Sequence, residues 1–330
     1  MKKSSIITIA LIVCLILLAA GSFSVFGFSI GGYANAEMYQ AGDTTITSAV
    51  ENLEIDWTAG SVNIVFHTGS EIKVSETSKK ALSDDTRLHW WLDGTTLRIR
   101  FAKSGFRLFN NLEKALTVSL PEGLVLDNAT IRATSADLNI SALAAENMIL
   151  ETTSGDMDAL LAAKKLKASS TSGSLDIRQR GGSNSVTVGA TSGNIVLSVE
   201  DAKEISASST SGGITFTQKG DADSVSLHTT SGDITAENVR AGKAEVSSTS
   251  GTIRLQLNTL NTLTVSSTSG DVTASLPALP GFTARISTTS GSFDSGISLL
   301  KDGKTYTCGD GSGSVKIDTT SGSVHLLENK

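Results

Sequence analysis

From about residue 130 onward, apolar residues fall on every second position in short runs, and the runs recur at a near-constant interval. Each is interrupted by Thr-Ser-Gly, with glycines at Gly155, Gly173, Gly193, Gly212, Gly232, Gly251, Gly270, Gly291 and Gly322. The intervals are 18, 20, 19, 20, 19, 19, 21 and 31 residues. Degenerate copies stand at Thr134-Ser135-Ala136 and Thr58-Ala59-Gly60. Aligned on the glycine, the copies form columns. Five residues before it lie Leu150, Ala168, Val188, Ala207, Leu227, Val246, Val265, Ile286 and Ile317. Two after it lie Met157, Leu175, Ile195, Ile214, Ile234, Ile253, Val272, Phe293 and Val324. Alternation of this kind is the period of a strand with one buried face. The inward positions are odd before the glycine and even after it, so one residue must be absorbed between them. A Ser-Gly corner does this, because glycine accepts a backbone turn that a side chain would block.

Strands this short cannot bury an apolar face alone, whereas stacked in register each column gains a neighbour above and below. The pattern predicts an all-β, parallel β-solenoid of about ten rungs of roughly 19–20 residues, right-handed as such crossovers are. With a step of about 4.8 Å the rod is about 40 Å long. Residues 131–330 are its regular part and 61–130 an irregular section that still reads as strands. Glu71–Ser75 and Leu116–Leu120 alternate, and Leu88–Phe101 is a hairpin turning at Asp93-Gly94. That turn sets Leu88 and Trp90 opposite Ile99 and Leu97, and His89 and Trp91 opposite Arg98 and Thr96. The section is expected to cap the open end of the stack. A second excursion, Ile297–Thr307, accounts for the 31-residue interval.

The N-terminus follows another pattern. Lys2 and Lys3 precede an uncharged run of 23 residues, Ile6 to Phe28, long enough for a hydrocarbon core that needs about 20. The lysines stay inside and the rest of the chain goes out. Ala34-Asn35-Ala36 fits a small-residue cleavage site. Two outcomes stay open: an anchor formed by residues 6–28, or release after cleavage near Ala36. The domain reading is therefore 1–36 signal peptide or anchor, 37–49 linker, and 50–330 solenoid, placed outside the cytoplasm.

Composition narrows the chemistry. The chain has 31 Gly, 3 Pro and 5% aromatic residues, which suits thin repeated layers. A mixed net charge of −6 argues against a nucleic-acid partner. Cys14 lies in the apolar run and leaves Cys308 without an intrachain partner, so neither a disulfide framework nor a cysteine metal site is expected. His67, His89, His228 and His325 show no ligand spacing. No cofactor is implied.

The order LEIDWTAGSVNIV, LHWWLDGTTLRIRF, LTVSLPEG and then TTSGD-type repeats resembles the bacterial putative-adhesin family of β-strand-repeat proteins, a domain of unknown function on cell envelopes. The resemblance covers residues 50–330. It implies a β-helix-like fold at the cell surface, sometimes encoded beside envelope-stress signalling components, and no catalytic residues.

Two surfaces are candidates for binding. Trp91 and His89, with Phe106 and Phe109, form a prospective stacking platform for a sugar or partner. The outward threonines Thr210, Thr230, Thr249 and Thr268, in a column running from Thr153 to Thr320, present a regular hydroxyl row, although threonine also suits an exposed strand and bonds its local backbone. Asp156, Asp158 and Asp176 are the only clustered acids of the kind that cut polysaccharides, and Arg178 sits beside them. A calcium-binding solenoid repeat is absent. The leading expectation is a non-enzymatic surface protein whose rigid face binds cell-wall glycan or an envelope protein. An envelope-stress accessory is one alternative and a polysaccharide-active enzyme another.

Overall fold

The computed structural model describes residues 33–105, 112–278 and 280–329. The apolar run at 6–28, with Cys14, lies outside the described residues, as do Phe106 and Phe109. Among the described residues no helix is long and apolar enough to cross a membrane. The described residues are all β apart from a 3-10 turn at Ala36–Met38, and their 22 strands join one hydrogen-bonded sheet.

The columns stack. Leu175 pairs in parallel with Met157 on one side and Ile195 on the other, and Val188 with Ala168 and Ala207. The ladder continues through Ile195 to Ile214, Ile234, Ile253 and Val272. These side chains are buried almost without exception, and Ile177, Val188, Leu197, Phe216, Ile234 and Val265 expose no surface. One continuous apolar interior results, built from Ala, Val, Ile and Leu in layers one side chain thick. Two buried glutamines close the return arcs. Gln179 donates to the carbonyls of Ala163 and Arg180, and Gln218 to those of Gly220 and Arg240.

The corner glycines are required for a reason other than turning. None of the nine has a positive φ. A Cβ at Gly173 would lie 1.9 Å from the carbonyl oxygen of Gly155, one at Gly212 2.0 Å from that of Gly193, and one at Gly251 1.9 Å from that of Gly232. Each glycine lies directly over the carbonyl of the corner residue in the neighbouring rung, Ala136 for Gly155 and a glycine for the rest, so the corner leaves no room for a side chain at these nine positions. Close approach, and not backbone freedom, selects the residue.

At both ends the order of rungs in space departs from the order in sequence. The strand after Gly270 leads to the outermost layer, Gly281–Thr288 and Phe293–Ser295. A hairpin, Leu300–Asp302 and Thr305–Gly309, then lies antiparallel along part of that layer's free edge. The chain returns as Gly313–Thr319 and Val324–Glu328, which pair with Ile253–Ser267 and Val272–Leu276 on one edge and with the outermost layer on the other. Gly322 therefore stacks on Gly270, and Gly291 on Gly322. Simple sequential stacking, expected from the repeat, fails here because the last rung enters a slot between two earlier ones. The N-terminal end is built alike. Asn52–His67 is held between Val125–Thr152 on one edge and Thr96–Arg100 with Lys114–Pro121 on the other.

Two further expectations change. The hairpin turns at Gly94-Thr95, one residue later than expected, so Asp93 faces Thr96, Leu92 faces Leu97, Trp90 faces Ile99, Trp91 faces Arg98 and His89 faces Arg100. Gly94 has φ +59 at the first central position, where type II′ turns place glycine. The residue faces are unchanged, because the shift moves both strands' pairing by an even step. The segment 37–49 is no linker. Gln40–Ala41 pairs with His89–Asp93, and Thr44–Ile46 with Ile72–Ser78.

Gly212→Ala is expected to cost about 3 kcal/mol or to prevent folding, the range of a forced core insertion. Gly189→Ala, whose Cβ would meet Ser208 Oγ at 3.7 Å, should change stability by less than about 0.5 kcal/mol. Urea melts of the two variants compare them directly. The interleaved C-terminal rung makes a second prediction: in hydrogen exchange, amides of 315–319 and 324–326 should be protected like mid-stack rungs and exchange more slowly than 286–288 of the outermost layer.

Candidate binding face

The outward threonines form a straight column whose spatial order is Thr153, Thr171, Thr191, Thr210, Thr230, Thr249, Thr268, Thr320 and Thr289. The backbone of the corner fixes it, with Ser172 N–H donating to Thr153 O (2.9 Å), Ser211 to Thr191 O (2.9 Å), Ser269 to Thr249 O (2.8 Å) and Ser321 to Thr268 O (2.9 Å). Thr210 and Thr230 are half-buried, while Thr249 and Thr268 are exposed. Among the described residues their hydroxyls have no hydrogen-bond partner, in place of the expected bond to local backbone.

That bond belongs to the preceding residue. Thr152, Ser170, Ser209, Thr229, Ser248 and Ser267 are all buried. Thr152, Ser170 and Ser209 accept from the N–H of the glycine three residues on, at 3.0, 2.7 and 2.9 Å. Ser209, Thr229 and Ser248 donate to the glycine carbonyl of the neighbouring rung at 3.1, 3.0 and 3.2 Å. At Ser209 one hydroxyl thus satisfies the backbone of two layers, while the next residue, Thr210, turns outward. The signal was present in the sequence, since this position is Ser or Thr in eight of the nine copies and Ala190 in the other. Beside the threonines, Ser208, Ser247 and Ser266 continue the hydroxyl surface. His228 within it is bonded through Nδ1 to Ser247 Oγ (2.6 Å), and burial lowers its pKa, favouring the neutral ring.

The aspartates lie on the other side of the corner, around a groove of about 380 Å³ lined by Asp137, Asp156, Asp158, Asp176, Asn139 and Asn194 among others. Their carboxylates already have partners. Asp137 accepts from Asp156 N–H (3.0 Å), Asp156 from Ser174 N–H (2.7 Å), and Asp233 and Asp271 serve Thr252 and Ser323 alike (2.7 and 2.8 Å). Asp158 and Asp176 are neighbours in register, and Arg178 pairs with Asp158 and stands 3.9 Å from Asp176. Where an aspartate follows the corner residue, as Asp137, Asp156, Asp233 and Asp271 do, it clamps one rung to the next, and Asn194 does the same through Gly213 N–H. Among the described residues no His, Cys, Asp and Glu group is placed to hold a metal.

Trp91 and His89 sit at the N-terminal end, seven ladder steps from Thr210 or about 34 Å at about 4.8 Å a step, so the two candidate surfaces do not form one site. His89 is buried, with Nδ1 bonded to Arg87 O (3.0 Å) beneath the strand Gln40–Ala41. Trp91 is half-buried. Tyr39 meets its ring edge-on at 5.6 Å and the Arg98 guanidinium lies 5.9 Å from its centroid. Tyr33 packs tilted against Tyr39 at 4.7 Å and donates to Ala102 O (3.2 Å), with Arg100 over both rings. Arg98 and Arg100 in turn pair with Glu54 and Asp56 across the rungs. Residues 33–41 therefore lie against Trp91 and His89.

Inside this end lies a charged pair that sequence reasoning missed. Lys114 Nζ is 2.6 Å from Glu76 Oε2, both side chains almost wholly buried. The ammonium also donates to Thr86 O (2.8 Å) and Phe101 O, and lies 4.9 Å from the Trp57 ring and 4.3 Å from that of Phe101. Burial lowers the Lys114 pKa against the pull of Glu76. With three oxygen acceptors and two aromatic faces the ammonium is held in place, and it fastens Lys114–Pro121 and Ile72–Ser78 under the first rung.

Stacked parallel rungs, a shared apolar interior and a corner of Thr-Ser-Gly define a repeat β-solenoid. The chain belongs to the Toastrack DUF4097 family, a domain of unknown function, whose model matches residues 50–237 and again 161–327. The two matches overlap because one rung can stand for the next. Solved structures with similarity include a putative cell adhesion protein from Clostridium sporogenes (12% identity, 88% of this chain and 100% of that one, TM-score 0.20). Others are a putative adhesin from Bacteroides fragilis (12%, 86% and 96%, TM-score 0.35) and a putative lipid binding protein from Parabacteroides distasonis (17%, 90% and 99%, TM-score 0.45). No curated protein matches.

Burial raises the Tyr33 pKa from 10.0 to about 12. A folded value above the unfolded one means that this tyrosine's contribution to stability is complete below pH 10 and is lost as the pH climbs to about 12. In an absorbance titration of tyrosinate on the full chain, Tyr33→Phe should remove the inflection near pH 12.

Proposed function

We propose that the protein is a non-enzymatic, extracytoplasmic binding protein whose right-handed solenoid offers its threonine–serine face to a repetitive cell-envelope partner, a wall glycan above all. The free hydroxyls of Thr210, Thr230, Thr249 and Thr268, repeated at every rung, carry this reading. A ligand with its own regular spacing meets several equivalent hydroxyls at once, and many weak contacts sum when they engage together. A rigid stack supports such contact because its side chains are ordered before the ligand arrives. Asp137 and Asp156 accept from backbone N–H groups and Asp158 pairs with Arg178, which supports a binding role over hydrolysis by a carboxylate pair. The export reading rests on the lysine-preceded apolar run.

The test is a glycan and cell-wall pull-down with the full chain and with Thr210, Thr230, Thr249 and Thr268 all changed to Lys. These outward positions should tolerate the change without loss of fold. Bound material should fall at least about tenfold, since removing adjacent contacts removes the avidity as well. Unchanged binding would move the interface elsewhere. Absence of any glycan binding by the parent chain would favour a protein partner in the envelope.

A further inference from the structure

We propose that the C-terminal end of the rod is a self-association surface: its outermost layer binds the same layer of a second copy, end to end, about a two-fold axis through the Thr-Ser-Gly corner. This goes beyond the binding role above and does not depend on it.

The edge on offer is bent and half covered. The outermost layer has two arms, Gly281–Thr288 and Phe293–Ser295, on either side of Gly291. The hairpin strand Thr305–Gly309 pairs with residues 281–285 and stops there. Phe293–Ser295 pairs only with 324–326 beneath it. Residues 286–288 of one arm and 293–295 of the other therefore have no strand above them among the described residues.

The rungs below show what this edge lacks. Thr320 N–H donates to Ser267 O at 3.2 Å, Ser321 N–H to Thr268 O at 2.9 Å, and Val272 N–H to Ser323 O at 2.9 Å. The equivalent groups of the outermost layer are Thr288 O, Thr289 O and Phe293 N–H, and they point off the end of the stack. Such a row of unpaired groups is a template for another strand. The interior is open there as well. Ile286 and Phe293 are half-buried, whereas Val265, Ile317, Val272 and Val324 of the same columns expose nothing. Tyr306 of the hairpin, 4.9 Å from Phe293, fills only part of that level.

A second copy fits this edge. Turned about the bisector of the corner, each arm meets the other arm of its partner antiparallel. Thr288 then faces Phe293 of the second copy, Ser287 faces Asp294, and Ile286 faces Ser295. The free arms match in length and in phase, since residues 286–288 and 293–295 share one pattern, half-buried, exposed, half-buried. Phe293 N–H of one copy comes to Thr288 O of the other, donor to acceptor, twice by symmetry. The ladder is also a continuation, because residues 281–285 already carry an antiparallel strand and the partner's arm extends it along 286–288. A straight strand from another protein follows one arm at most, while a copy with the same bend follows both. The N-terminal end has no such edge: residues 52–56 and 60–67 pair with 96–100 and 114–121, and Gly60 lies against Lys114 O. Association therefore closes at a dimer, as an isologous contact must.

A rod's end face gives an interface near the low end of specific ones, about 1,000 Å². In sedimentation, the full chain in detergent should pass from monomer to dimer between about 1 and about 100 µM, and amides of 286–288 should gain protection over the same range. A chain still monomeric at the upper limit would overturn the inference. Register is tested with Cys14 and Cys308 changed to Ser, by oxidising a mixture of differently tagged Ser287→Cys and Asp294→Cys chains. Their positions form a non-hydrogen-bonded pair with Cα atoms about 4.5 Å apart, inside the disulfide range of about 4.4–6.8 Å. Only the mixture should give a linked dimer, and equal linkage in either variant alone would overturn the arrangement. Ser287→Glu sets a like charge against Asp294 of the second copy and should weaken dimerisation about tenfold, and adding Asp294→Lys should restore it. Both positions are exposed, so the fold bears the change. Dimerisation unmoved by Ser287→Glu would place the contact elsewhere on the chain, the apolar run included, and sink the proposal.

Discussion

The structure depends on one contact: from Gly155 onward the corner glycine of each rung lies over the carbonyl of the corner residue in the neighbouring rung, with space for no further atom. A Cβ placed at Gly173, Gly193 or Gly251 would fall 1.9 Å from that oxygen, far inside any van der Waals approach. This contact sets the register. Once the corners are stacked, the residues five before and two after each glycine must superpose, and the apolar interior follows. The buried hydroxyl three residues before the glycine completes the corner, because it accepts from the glycine N–H of its own rung and donates to the carbonyl of the neighbouring one. Backbone groups that a sharp bend would leave unpaired in the interior are thereby satisfied, at a place where each orphan costs about 1–3 kcal/mol. Aspartate on the far side of the glycine does the same for the outer N–H groups.

How much of this is legible from the residues depends on the kind of information each feature uses. The interior columns are visible because a strand's period is two, and because stacking makes equivalent residues alike. Leu175, Ile195, Ile214 and Ile234 announce their common place. The glycine is visible too, but the reason for it is not, since a turn with positive φ and a bare close approach select the same residue. The interleaved end is invisible for a deeper reason. Rungs that are interchangeable in composition are interchangeable as neighbours, so nothing in the columns of Gly291 and Gly322 says which lies next to Gly270. Only the hairpin Leu300–Gly309 supplies the asymmetry, by occupying the free edge of the outer layer.

The candidate sites divide in the same way. Thr210 to Thr268 were legible as outward residues because their parity follows from the columns, and the structure places them so. Trp91 and His89 were not legible as covered, since the cover comes from Tyr33, Tyr39 and Gln40–Ala41, a segment with no repeat signal of its own. Lys114 and Glu76 lie 38 positions apart in an irregular section, where no periodicity links them. A buried pair of this kind is weak evidence for stability, because desolvation offsets much of the attraction. Its three oxygen acceptors fix where Lys114–Pro121 must start, which suits a role in selecting one arrangement of the irregular strands.

The ends matter more to a rod than to a compact domain, because stacking leaves two open layers that would each accept another strand. This chain meets both with the same device, sending the sequence one layer too far and then bringing it back inside. A terminal rung held on both edges can be lost only if two ladders open together, whereas a terminal rung in simple sequence order would fray from one. The device also places the chain's entry at one end and its outermost loop, Leu300–Asp302, at the other. A molecule with distinct ends and identical middle layers has one natural division of labour: the ends decide position and termination, and the repeated side chains between them decide what is touched.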